Sequence, residues 1–516
     1  MGVNGMRHLF VCALLAASCS IAAHALGAGE VKAGPGCTGV SAQQCVGMAL
    51  EAMGGGERLE KLSSVRLQTV SHTLLPEQSY RQAPFITSYE RDVITLDLAG
   101  KRVLTEAKST WPENDLNQPD SESTLIVGPD GGAFHTKNGD SPCGLSSMDD
   151  ARERLVLGPA RVLLTAAGAA DLHYAAPESL RGSAHAVVAF TWQHVPVRVL
   201  INAFNHLPDA VETTQEFHDF WYFWGDVEQR FYFDNFKLVQ GIVFPTNIIE
   251  ERNGLVWSSE QALNVEFNVP LDEKAFSMDA KIAKISAGQP GWNRAFHAKT
   301  DTALAGGLDL FPGAWNSTIV KVPEGIVILE APISGLYTQG VIDEARRRYP
   351  TDPIVAVLST SDSWPHTGGV RAAVADGLPI YILDLNRPLL DKMVSAPHTV
   401  DPDALAKASK SAKPMWRIVT GREALGGGDN RMELYPLRGA ATERQYMVYF
   451  PGHKLLYASD TLALNEDGSL YDPELMNEVA QAVKRENLSV ETVFAMHQGP
   501  MEWSKVIALL EKAQHA

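Results

Sequence analysis

The stretch 357–370, V-L-S-T-S-D-S-W-P-H-T-G-G-V, constrains this chain more than any other. It continues an apolar, β-branched run at 354–358, of the length and composition expected of a buried strand. It ends in Gly368-Gly369 and then an Ala-rich helical pattern over 370–376. Strand, tight polar loop and helix start together hold side chains on rigid supports, which is what a site needs. An apolar run at 325–329 and a helical pattern at 341–348 precede it, so a β-α-β unit is expected there.

The frame resembles the metallo-β-lactamase superfamily, whose strand ends in T-H-x-H-x-D-H-x-G-G. Thr360, His366, Gly368 and Gly369 fall in register with that pattern, whereas Ser361, Ser363 and Pro365 stand where two histidines and the aspartate belong. The segment 450–460, F-P-G-H-K-L-L-Y-A-S-D, resembles the family's strand–turn–strand, so Asp460 matches the bridging aspartate. The run 493–499 resembles its last strand and final histidine, so His497 matches that ligand, and Ala441 falls where another histidine is expected. The resemblance implies an αββα sandwich over 302–516. It also implies one metal position emptied of its ligand letters and a second that retains His366, Asp460 and His497. Two imidazoles and a carboxylate suffice for one divalent ion, Zn²⁺ or else Fe²⁺ or Mn²⁺, with positions left open.

Two functions follow. One is a hydrolase with at most one metal, with Asp460 and Asp362 as the candidate bases. The other is an inactive pseudo-enzyme that binds no metal and acts as a periplasmic binding or scaffold protein for a small molecule or an apolar ligand. His453 is read as a surface turn residue, and 385–414 as a lid.

A chain of 516 residues calls for more than one domain. Ahead of the resemblance, long alternating stretches between 65 and 267, interrupted by one helical pattern at 159–169, predict a mostly antiparallel β domain with a few helices. It is similar to the lipoprotein-carrier type of half-barrel, carried by A-L-E-A-M-G-G, R-G-S-A-H-A-V-V-A-F and K-L-V-Q-G-I-V-F-P-T. Pro245 places its strand near a sheet edge. The expected division is 26–285 for this domain, 286–301 for a link and 302–516 for the remainder. Phe217, Phe220 to Trp224 and Phe231 to Phe233 line a cavity, cover a patch, or fill a core or domain contact.

Residues 1–25 read as a cleavable signal: Arg7 and His8, an apolar run at 9–23, then Ala23-His24-Ala25. Cleavage after Ala25 and a periplasmic or secreted location are expected, with lipoprotein processing at Cys19 as the rival. The mature chain carries no stretch long enough to span a bilayer. Cys37, Cys45 and Cys143 remain after cleavage, either as a Cys37–Cys45 disulfide with Cys143 free or as three thiols. The net charge of −17 argues against nucleic acid as a partner.

Overall fold

The computed structural model describes residues 33–76, 85–110, 120–136, 139–297, 301–408, 412–465 and 467–514. The expected signal segment, with Cys19 and the cleavage site after Ala25, lies outside them. Among the described residues no helix is long and apolar enough to cross a membrane.

The chain enters through a short disulfide-closed loop, Cys37–Cys45, and a helix, Ala42–Ala52. Ser41 and Gln44 form a reciprocal capping box at its start, satisfying two otherwise orphaned backbone donors. From Ser64 to Phe267 the strands build one thirteen-stranded antiparallel sheet. They meander outward from Ser64–Leu74 to an edge at Gly139–Pro142, resume at the opposite edge, His173–Leu180, and meander back. Leu255–Phe267 then pairs with Ser64–Leu74 and closes the order at its middle.

Two helices, Leu145–Leu157 and Val162–Gly168, carry the chain from one edge to the other. Met148, Leu157, Val162 and Leu163 share a core with Leu67, Ile94, Val188 and Phe233 from strands of both meanders, so the sheet packs over its own crossover. The sequence pattern indicated one helix here. The first was missed because L-S-S-M-D-D-A-R-E-R-L-V-L sets five charged residues in its middle and gathers much of its apolar content at its ends, and its buried face is defined by the sheet above it.

Pro245 does not stand on an edge strand. Its strand, Ile242–Arg252, is interior, with Val227–Val239 on one side and Leu255–Phe267 on the other. The ladder to Leu255–Phe267 begins only at Asn247, so proline stands beyond the stretch where that neighbour requires a backbone donor.

From Thr302 onward the strands form two further sheets, one of seven and one of six. The strand Gly325–Leu329 is buried at every position, and its two faces go different ways. Val327 and Leu329 meet Leu434, Val448, Phe450 and Phe494 of the six-stranded sheet. Ile326 and Ile328 instead meet Val341 and Ile342 of the helix Gly335–Arg348, and Val370 and Ala373 of Val370–Ala375. On the six-stranded sheet, Tyr435, Met447 and Leu456 pack with Met476 and Val479 of Pro473–Arg485 and with Val506 and Leu510 of Trp503–Gln514.

The aromatic run joins the two regions. Phe220–Trp224 is a single 3-10 turn, started by the Asp219 carboxylate accepting from the Trp221 backbone N–H. Phe217, Trp221, Tyr222 and Phe223 belong to the same core as Ile333, Trp364 and Val370, while Phe233 stays in the core of the large sheet. Residues 385–414 contain a helix, Arg387–Ser395, whose Leu390 and Met393 are part of that shared core. The Asp226 carboxylate accepts from the backbone of Thr399 and Val400, tying this segment to the large sheet.

Candidate metal centre

The strand Ile354–Ser359 delivers the chain into a short loop, and the helical turn Trp364–Thr367 follows with Pro365 in its first turn. Proline is tolerated there because that N–H has no intrahelical acceptor. The turn presents His366, whose side chain is 1% exposed. Gly368 and Gly369 allow the close approach that fixes it. A Cβ at Gly368 would lie 2.3 Å from both the Ile333 carbonyl and the Phe223 ring, and one at Gly369 would strike Thr338. Trp364 locks the other flank, its ring 5.0 Å from that of Trp221 and 5.4 Å from that of Trp224.

Asp460 follows the strand Leu455–Tyr457 through Ser459, whose φ of 56° turns the chain. The Ala458 N–H donates to the Phe494 carbonyl and the Met496 N–H to the Ser459 carbonyl, so 458–460 and 494–497 run side by side. Asn316 clamps the same corner, its backbone N–H on the Met496 carbonyl and its side-chain amide on that of Ala495. That clamp brings Ala314 to His497, whose Nδ1 donates to the Ala314 carbonyl at 2.8 Å, and Trp315 lies edge-on against the ring.

These supports bring three side chains together. His366 Nε2 lies 3.1 Å and His497 Nε2 3.0 Å from the same oxygen, Asp460 Oδ1. One ligand atom from each lies within 4.8 Å of the others, and among the described residues no other group of His, Cys, Asp and Glu converges in this way.

Both ring nitrogens of His497 face acceptors only. The ring is therefore satisfied either as an imidazolium or as a neutral ring with a cation between Nε2 and Asp460. Neighbouring donors on a tetrahedral ion with bonds of ~2.0–2.2 Å stand roughly 3.3–3.6 Å apart, so the spacing fits such an ion with a shift of a few tenths of an ångström. His366 Nδ1 is buried and finds no hydrogen-bond partner among the described residues.

The electrostatics agree. Burial by itself would raise the Asp460 pKa, but the charge of His366 and the hydrogen bonds from His366 and His497 hold it well below the ordinary carboxylate range. Burial pushes the His497 imidazole down, and its bond to Asp460 outweighs that and raises it. Beneath the site Glu330 is fully buried, and its carboxylate accepts from the hydroxyls of Thr360 and Tyr457. Desolvation raises its pKa, against the opposing pull of His366. An acid directly after a five-residue apolar strand was a readable signal for Glu330. Nothing in the local pattern marked Ala314 or Asn316.

The remaining positions go elsewhere. Ser361 is buried, and its hydroxyl accepts from the Ser363 N–H. Ala441 donates its N–H to Glu478. Asp362, 8% exposed, stands 3.8 Å from the Arg444 guanidinium and is not one of the three converging residues. His453 is half-buried rather than free at the surface, with its Nε2 against the Asn430 side chain at 2.7 Å.

No family model and no curated protein matches the chain. Solved structures similar to it are metallo-β-lactamase-fold proteins of low identity. They include a stereoselective inverting sec-alkylsulfatase from Pseudomonas sp., at 15% identity over 41% of this chain with a TM-score of 0.30. The chain spans 40% of that sulfatase's length. A metallo-β-lactamase from Pontibacter korlensis matches at 17% identity over 42% of this chain and 99% of its own, with a TM-score of 0.32. One from Erythrobacter litoralis matches at 14% over 43% and 99%, with a TM-score of 0.33. These likenesses say nothing about the chemistry of the site.

Proposed function

We propose that this chain is an exported hydrolase of the metallo-β-lactamase type, working with at most one divalent ion held by His366, Asp460 and His497. The observation that carries this reading is the convergence of three donors from three separate chain segments on one point. A lone buried histidine is ordinary, but two imidazoles aimed at one carboxylate oxygen make a metal-ligand set with room left for water or substrate. A bound Zn²⁺, Fe²⁺ or Mn²⁺ would supply Lewis acidity toward a water molecule or a substrate oxygen.

The chain's own groups supply the rest. The Ala314 carbonyl holds His497 with its Nδ1 protonated, so that Nε2 keeps its lone pair for the ion. Asp460, kept ionised, offers one oxygen to the ion, and its second oxygen is the first candidate for accepting a proton from water. Asp362 is the other candidate base. In this reading residues 302–516 form the αββα sandwich, 26–285 the accompanying half-barrel, and 286–301 the link between them, with 1–25 removed on export.

The replaced positions Ser361, Ser363, Pro365 and Ala441 favour a second reading, a metal-free binding or scaffold protein. Elemental analysis after reconstitution with Zn²⁺, Fe²⁺ or Mn²⁺ separates the two. One ion per chain is expected, lost in H366A, D460N and H497A while the fold is kept. No ion supports the scaffold, and two per chain would mean that ligands beyond these three take part.

A further inference from the structure

The large sheet encloses, against its crossover helix, a cavity of about 360 Å³ that the metal reading does not use. Six carboxylates line it: Glu90, Asp92, Asp150, Glu153, Glu250 and Glu260. Among the described residues only two cations do, Arg154 and Arg252, and both are already spent. Arg154 holds Glu260 through two hydrogen bonds of 3.1 and 2.9 Å. Arg252 bonds Glu250 at 2.6 Å and Asp219 at 3.1 Å. Among the described residues, Glu90, Asp92, Asp150 and Glu153 are left without an ion-pair partner on the cavity wall.

Asp92 is the sharpest case. Strand alternation places Glu90, Asp92, Ile94 and Leu96 on the one face that looks into the cavity. Asp92 is 8% exposed, and its Oδ1 is buried with no hydrogen-bond partner among the described residues. A buried carboxylate oxygen with no donor to accept from is costly, the more so when it is charged. Burial raises Asp92 to about 7, with Glu90 and Glu260 adding to the rise, and raises Glu153 to about 8. Asp150 feels the same crowding, but its side chain is bare to the cavity, so water screens the effect. Most of the rest of the wall is apolar and includes Leu67, Leu96, Phe231, Phe244 and Trp257, with the hydroxyls of Ser71, Thr73, Thr105, Ser147 and Ser258 set among them.

A compact metal ion does not suit this wall, because its carboxylates do not converge within the 4.8 Å that unites His366, Asp460 and His497. Spread acids facing an aliphatic and aromatic surface call for a cation that is itself extended and partly apolar. We propose that this cavity binds an organic cation with an apolar body, of the long-chain alkylammonium class, its ammonium set among Asp92, Asp150 and Glu153 and its chain against Leu67, Leu96 and Phe244. The ammonium donates to Asp92 Oδ1, and its charge replaces the missing third cation of the cavity. The inference does not depend on metal at the other site.

Calorimetric titration of the full mature chain with decylammonium, decanol and decanoate tests it, below the concentrations at which each self-associates. Decylammonium should bind at one per chain, at least tenfold tighter than decanol, while decanoate is rejected. Its affinity should fall as the pH is lowered from about 8 through about 7, where Glu153 and then Asp92 take up protons. D92N should lose about tenfold for decylammonium and leave decanol unchanged. D150N, at a position already bare to water, serves as the second variant if D92N does not fold. H497A should bind decylammonium like the wild type. Equal or tighter binding of decanol or decanoate would overturn the cationic assignment, as would an unaltered affinity in both D92N and D150N. Binding of none of the three would make the acids a neutral structural lining.

Discussion

Replacing Trp364 by alanine tests the junction on which the metal site is mounted. The residue is 3% exposed and stands two positions before His366. Its ring meets Phe220, Trp221 and Trp224 at 6.0, 5.0 and 5.4 Å, all tilted or edge-on. Truncating a buried Trp to Ala costs ~3–5 kcal/mol when the surroundings collapse little. Little collapse is available here, because rigid rings and the Gly368 contact with Phe223 frame the gap. Each ring pair adds ~0.5–1.5 kcal/mol beyond burial, so a cycle of W364A, W221A and the double variant should show a coupling of about 1 kcal/mol. Urea denaturation followed by far-UV circular dichroism gives the four stabilities without relying on the fluorescence of the removed rings. W364F, which keeps one ring, should recover at least ~1 kcal/mol of the loss. Metal uptake by W364A should weaken in parallel, since the turn bearing His366 loses its packed flank. A loss under ~1 kcal/mol together with strictly additive variants would refute this account of the junction.

Two further outcomes follow from the same geometry. In the metal-free protein, Asp460 has a folded pKa below its ordinary 3.8, so its contribution is complete above that pH and fades as acid approaches the folded value. His497 has one above its ordinary 6.5, so its contribution is complete below 6.5 and is lost as the pH rises through the folded value. Melting temperature against pH should therefore lose its fall above 6.5 in D460N, and a D460N profile parallel to the wild type would contradict the pairing. Arg371, 8% exposed, grips both oxygens of Asp403 and the carbonyls of Val394 and Ala396. R371M leaves the largely buried Asp403 carboxylate without its cation and should cost ~3–5 kcal/mol by urea denaturation. R371K should recover less than half of that, because lysine cannot make the forked contact. A lysine variant as stable as the wild type would show that the fork is dispensable.

Much of the site was written locally. The apolar run at 354–358 ends where a strand must end, and the letters after it carry His366, Gly368 and Gly369 in one short-range pattern. Asp460 and His497 were legible for the same reason: each closes a short strand, and the position of a strand end depends on neighbours along the chain. What no local pattern held is the contact between segments far apart in sequence. The Ala314 carbonyl reaches His497 across 183 residues, and Thr360 meets Glu330 across 30. The aromatic run read equally well as cavity wall, patch or core, because an aromatic ring satisfies all three. The approach of Trp364, Ile333 and Val370 made Phe217 and Phe220 to Trp224 core, while Phe231 lines the cavity of the large sheet. Pro245 was misplaced for the same reason. A residue's own chemistry states that it cannot donate, but whether a neighbouring strand needs that donor depends on where the ladder starts, which the fold of the whole sheet determines.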